Sequence, residues 1–394
     1  MPVLFGVVLL DLIGFGIVIP ILPFLSPELG ADKIDIALII VSYAVCSGLC
    51  GPFWGRLSDR LGRKPVIMIC LSGAAVSYVM LGLANELWMV YCARAFAGMM
   101  AGNFGVASAM MADVTSPENR ARGMGVIGSA FGMGLVLGPV LGGLLAGDSG
   151  SFMLPCLVAG LMSLLAVIAA QIFLPESVSP QRRQENRHIQ RTQPRVSTLT
   201  LLRETGNRLL ALQYVLHNSC VSGFTYIFPL WVADTLNWTA REVGIVFGIQ
   251  GGIMALMQGV LIGPLVRMFG EIPLLRTSIS CFFVGLVIAA FSNTTVFIVG
   301  SALVTMTGAT MCMPVLNTLT SERTPVASRG RMLGTTASFS SWGRVVGPLL
   351  GGLNLTLFGY RAAWLTLAVL VFAYLIWALR ESPIRRGSKM QSSL

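Results

Sequence analysis

Charge is what this sequence has least of. Asp, Glu, Lys and Arg make up 11% of 394 residues, about half the usual share for a soluble chain. Hydrophobic residues make up 55%, and mean hydropathy is +0.77. Amphipathic helices with a wet face are missing too. Whole windows of about 20 residues are apolar all round, as a bilayer core requires. A large soluble core is therefore excluded, and an all-α membrane protein is expected. The eight cysteines, Cys46, Cys50, Cys70, Cys92, Cys156, Cys220, Cys281 and Cys312, lie within or near apolar runs with no CxxC or Cys/His spacing. They read as small packing residues rather than disulfides or metal ligands. Nothing resembles a nucleotide-binding loop or a hydrolytic centre, so neither an enzyme nor a cofactor is expected. Gly132-x-Gly134 has no preceding strand and no βαβ context, so it is not a dinucleotide fingerprint.

What is present is a series of twelve apolar runs, near 3–25, 35–56, 65–84, 88–112, 121–147, 152–174, 207–233, 240–264, 273–292, 295–321, 329–357 and 361–380. The first run follows no basic stretch and contains Asp11, so it reads as a retained span rather than a leader. The longest polar interval, 175–206, links residues 1–174 to residues 207–380, and a short tail covers 381–394. With the termini and every second loop on one side, 22 of the 27 Lys and Arg residues fall there. The other side holds Lys33, Arg241 and Arg361, and only Arg94 and Arg344 lie inside spans. The positive-inside rule then places both termini and the linker in the cytoplasm, in a cell inner membrane. It also explains the net charge of +10 without a nucleic-acid partner.

The two halves repeat. Gly55-Arg-Leu-Ser-Asp-Arg-Leu-Gly62-Arg-Lys-Pro65 has a faded copy at Gly263–Pro273 that keeps both glycines and the final proline. Arg120-Ala-Arg122 and Arg329-Gly-Arg331 precede spans 5 and 11. Gly134-x-x-x-Gly138-Pro139-x-x-Gly142-Gly143 matches Gly343-x-x-x-Gly347-Pro348-x-x-Gly351-Gly352 at an offset of 209. Two parallel six-span halves imply a transporter with its substrate site between them near mid-membrane.

On these residues the chain resembles the major facilitator superfamily over essentially its whole length. The resemblance implies the major facilitator fold, with 12 transmembrane helices in two pseudo-symmetric six-helix bundles. Gly55 to Pro65 matches the family's loop 2–3 motif except at Lys64. Span 5 matches the antiporter motif, which implies export in exchange for protons. Asp11-Leu-Ile-Gly-Phe-Gly16, followed by Pro20 and Pro23, is similar to span 1 of twelve-span drug:proton antiporters such as bacterial tetracycline and multidrug efflux proteins. Those exporters carry further acids in spans 3 and 9. Here Ser77 stands in span 3, and residues 273–292 hold no acid. One coupling carboxylate fits one-proton exchange of lipophilic cations or neutral drugs better than export of a metal-chelated tetracycline. The expected partners are a small-molecule substrate, protons and the lipid bilayer. A monomer is expected, with the proton gradient as energy source.

Asp11 is the sharpest candidate. Of 17 acids it alone lies well inside a span, roughly 12 Å from its start at ~1.5 Å per residue. An acid there costs about 2.5–3.5 kcal/mol on insertion scales, which points to function. It could bind a proton and release it when a cationic substrate or water arrives. A structural acid paired to a neighbouring span is the plain alternative. Arg94-x-x-x-Gly98 resembles the family's span 4 motif, whose arginine assists proton movement. His217 can titrate deep in span 7 and joins Asp11 and Arg94 as a coupling candidate. Arg344 could pair with Asp11, meet an anionic substrate group, or bond helix carbonyls.

By resemblance, Gly55, Asp59, Arg60, Gly62 and Arg63 form a cytoplasmic gate. Asp59 caps a helix end of the other half, and Arg60 or Arg63 reaches Asp113. The faded copy keeps Arg267 but not Asp59, so the latch is expected to be strong only in the first half. The expected cavity wall is Asn103, Tyr214, His217, Asn218, Gln250, Gln258, Asn317 and Arg344. Phe224, Met254 and Met257 would add a soft lining for aromatic cations. Uptake of a sugar or metabolite by symport or uniport is the first alternative. A receptor without transport is the second, and it would not need Asp11.

Overall fold

The computed structural model describes residues 2–116, 120–147, 152–178, 181, 208–324 and 329–381. Apart from residue 181, the linker beyond residue 178 lies outside the described residues, as does the tail beyond residue 381. Among the described residues all regular structure is helical, because a chain in lipid must satisfy its backbone within each span. Among the described residues, ten helices are long and apolar enough to cross a membrane. One of them, Thr335–Arg380, contains two helices that meet at Gly359, where φ is 81°. Arg208–Leu236 has the length but carries Gln213, His217, Asn218 and Ser219, and it completes twelve spans.

Spans 1 to 6 are Pro2–Glu28, Lys33–Leu61, Arg63–Gly82, Leu87–Val114, Arg120–Ala146 and Met153–Phe173. Spans 7 to 10 are Arg208–Leu236, Ala240–Phe269, Glu271–Phe291 and Thr295–Arg323. Spans 11 and 12 are the two parts of Arg329–Arg380 on either side of Gly359.

The sequence repeat is also a repeat of geometry. Spans 2 and 8 both begin with a capping box, Asp32 with Asp35 and Thr239 with Glu242. Both end at a glycine with positive φ, 111° at Gly62 and 84° at Gly270, where a side chain would be strained. The turn residues kept in the faded copy are those the backbone requires.

The antiporter motif has two faces. Gly134, Gly138 and Gly142 press span 5 onto span 1, and a Cβ at Gly138 would stand 2.5 Å from the Gly16 Cα. Gly343, Gly347 and Gly351 press span 11 onto span 7 in the same way. The last glycine of each motif instead faces the opposite half. A Cβ at Gly143 would stand 2.7 Å from the Ala240 carbonyl oxygen, and one at Gly352 2.8 Å from the Ala37 Cβ. Small residues thus let backbones approach within and between bundles.

Candidate functional site

Asp11 is 8% exposed, and Asn103 Nδ2 donates a short hydrogen bond to its Oδ2. Asn103 reaches it because span 4 is broken. Helix Leu87–Met100 stops, Ala101 and Gly102 turn, and helix Asn103–Val114 starts again. Trp54 of span 2 packs against Gly102, and its indole nitrogen donates to the Met99 carbonyl at 2.6 Å, a group freed by the break. The sequence reading ran one helix through 88–112 and so missed this pairing.

Arg94 is buried, with its guanidinium carbon 4.5 Å from the centre of the Tyr43 ring, and its Nε has no hydrogen-bond partner. Tyr43 lies within electrostatic reach of Arg94 and Asp11 of its own half and of Arg344 of the other. Arg344 is exposed and bonds Ser341 Oγ at 2.9 Å, not Asp11. The Asp11–Arg344 pairing is therefore replaced by Asp11–Asn103.

The loop 2–3 motif forms a charged cluster. Arg63 Nη1 sits 2.8 Å from Asp59 Oδ1 and 2.6 Å from Ser58 Oγ, while Arg63 Nε lies 3.0 Å from Asp113 Oδ2. The expected reach to Asp113 is met by Arg63, while Arg60 is exposed. Glu176, which the sequence reading missed, accepts from the backbone N–H of Arg63 at 2.9 Å and of Lys64 at 3.3 Å. It thereby caps the start of span 3. All these residues belong to the first half. Asp59 forms an ion pair with Arg63, one turn away. The glycine register sets Asp59 and Arg63 against Arg267 and Glu271, so the copy exchanges the charges rather than losing the acid. The second half has its own pair, Arg323 with Glu381.

On the face that carries Lys33 the halves are joined. Lys33 Nζ lies 2.6 Å from Asp234 Oδ2 and 4.7 Å from the centre of the Tyr360 ring. Tyr360 donates to the same carboxylate at 2.6 Å, and Tyr226 donates to the Lys33 carbonyl. Ile36 and Ala37 of span 2 also belong to the second half's hydrophobic core. Towards the Gly62 face the packing thins among the described residues. Gly248 and Gly251 of span 8 pack on Val140 and Val136, whereas Cβ atoms at Gly125, Gly128, Gly132 and Gly259 would meet nothing within 4 Å. Among the described residues, the polar contacts that join the halves gather on the Lys33 face.

A model of the Major Facilitator Superfamily matches residues 4–337 and matches again over 210–392, from the start of span 7. The chain belongs to that superfamily. It is 28% identical to the class H tetracycline resistance protein of Pasteurella multocida, covering 94% of each chain. It is 30% identical to the class C tetracycline resistance protein of Escherichia coli, covering 88% of this chain and 87% of the relative. The quinolone resistance protein NorA of Staphylococcus aureus (strain COL) is 26% identical, with 89% and 88% covered. Among solved structures, a bacterial homologue of the human lysosomal transporter Spinster superposes with a TM-score of 0.78 at 14% identity, covering 97% and 98%. A human organic anion transporter gives 0.73 at 24% identity, covering 96% and 98%.

In this major facilitator chain several expected cavity residues lie elsewhere. His217 is 4% exposed, its ring packed edge-on to Phe282 of span 9 and Tyr374 of span 12, and its Nδ1 has no partner. Tyr214 is buried in the same bundle and donates to Asn317 Oδ1 at 2.8 Å. Phe224 stacks on Phe228 in that core. The polar face of span 7 points into its own bundle, so His217 and Tyr214 are core residues and not a shared site with Asp11. Asn317 is exposed, Asn218 is half-buried and donates to the Tyr214 carbonyl at 2.9 Å, and Gln250 keeps a buried Oε1 without a partner. Gln258 lies in a π-helical turn, Met257–Leu261, and donates to the Thr310 carbonyl of span 10 at 3.0 Å. A separate groove of about 530 Å³, lined by Val76, Met80, Leu83 and Trp88, opens where lipid tails would lie. It is not part of this site.

Proposed function

We propose that this chain exports small amphipathic compounds, drugs among them, from the cytoplasm in exchange for protons, by rocker-switch alternating access. The buried Asp11–Asn103 pair carries the reading. It is the one mid-span carboxylate among the described residues, and Arg94 over Tyr43 sets a buried cation in the same bundle. The Gly62 face is then cytoplasmic, in an inner membrane, and the closed Lys33 face is external. Substrate enters from the cytoplasmic side, the halves rock, and Asp11 takes up a proton from outside before the crevice returns. Each charge moved across 100 mV is worth about 2.3 kcal/mol, so a membrane potential suffices without nucleotide or cofactor. The resistance proteins among the relatives support drugs as the substrate class, and one chain supplies both halves as a monomer.

The test is reconstitution into liposomes with an imposed pH gradient. Accumulation of a fluorescent amphipathic dye should follow the gradient and collapse when a protonophore is added. Dye movement indifferent to gradient and protonophore would contradict proton exchange.

A further inference from the structure

We propose that Arg344 recognises an anionic group, such as a carboxylate, on an amphoteric substrate. The proposal rests on the exchange reading for its site and adds the chemical class of the compound.

Arg344 is placed where neither surface can hold it. It lies fifteen residues from Arg329 and fifteen from Gly359, roughly 22 Å from either end of span 11 at ~1.5 Å per residue. That is beyond the reach of a snorkelling side chain. It also does not face lipid. At ~100° per residue, Arg344 lies roughly 160° round the helix from the exposed Trp342, Leu349 and Leu353, which mark the lipid side. Gly343, Gly347 and Gly351 turn to span 7, and Ser341 and Gly352 turn to span 2, where a Cβ at Gly48 would stand 3.6 Å from Ser341. Arg344 falls between these two contact faces, so it points between the halves, within electrostatic reach of Tyr43.

Helix packing does not require the charge. The motif copy in the first half has Leu135 at this position, between glycines that pack in the same way. The side chain is exposed, its hydrogen-bond partner is the neutral Ser341 hydroxyl, and the carboxylate of Asp11 is engaged by Asn103. The crevice therefore offers a planar cation with donors to spare, which suits two-point binding of a carboxylate. An anion alone would hold the proton on Asp11 and oppose exchange. A basic group on the same molecule, turned towards Asp11, reverses that and displaces the proton. Tyr43 and Phe15, with ring centres 5.7 Å apart, give the first-half wall an aromatic surface for the body of such a compound.

The test compares the free-acid form of a rhodamine dye with its methyl ester, by fluorescence polarisation on purified full-length protein without a gradient. Wild type should prefer the acid. Arg344→Gln should weaken the acid at least about tenfold and the ester less than about twofold, as loss of a charge-assisted pair predicts. Arg344→Lys should retain more acid affinity than Arg344→Gln, and all three proteins should melt alike. Equal loss for acid and ester, no preference in wild type, or Lys and Gln variants that behave alike would overturn the proposal. Binding is read without a gradient, so failure of proton-driven transport would count against the exchange reading alone.

Discussion

A carboxylate and an amide in mid-membrane are each costly to leave unpaired, and Asp11 and Asn103 offset that cost for one another. Asp11 was legible in the sequence because a charge stands out against an apolar run. Its partner was not, since the turn at Ala101–Gly102 that aims Asn103 has no proline or charge to announce it. His217 and Tyr214 were misplaced for a related reason: a membrane span is apolar on both its core and crevice faces, so periodicity does not tell them apart. At this scale the pairing predicts that Asn103→Ala lowers the melting temperature. The change removes a hydrogen bond to a charged group, worth about 1.5–3 kcal/mol, and should also slow dye export. A melt and transport rate indistinguishable from wild type would sink the pairing as a functional feature.

At the scale of elements, the glycine motifs have separable tasks. Gly142 lies against the Ile17 carbonyl within the first bundle, so Gly142→Ala should destabilise by about 1–3 kcal/mol, read as a lower melting temperature. Gly132→Ala meets open space and should be neutral or slightly stabilising, because alanine is the better helix former. Gly143→Val acts between bundles. It should leave the melt near wild type while raising labelling of a cysteine placed on the Lys33 face, as closure there is obstructed. If Gly142→Ala and Gly143→Val behave alike, the assignment of the two faces fails. The motif spacing was visible in the sequence, and so was the duplication at offset 209. Which glycine meets which half was not, because that depends on how the bundles dock.

At the scale of the molecule, the halves meet on one face through Lys33, Asp234, Tyr226 and Tyr360 and part on the other. The charged cluster around Arg63 holds spans 2, 3 and 4 and Glu176 together within the first half, leaving that half to move as a unit. Lys33→Ala should shift the balance towards the form open at the Lys33 face by up to about fivefold, since a half-exposed ion pair is worth roughly 0.2–1 kcal/mol. Distances between spin labels on the two halves would report it.

The central claim is that Asp11 couples this movement to protons, and one comparison tests it most directly. In proteoliposomes, Asp11→Asn should abolish dye accumulation driven by a pH gradient while dye counterflow without a gradient persists. Gradient-driven accumulation that survives the substitution would contradict the account.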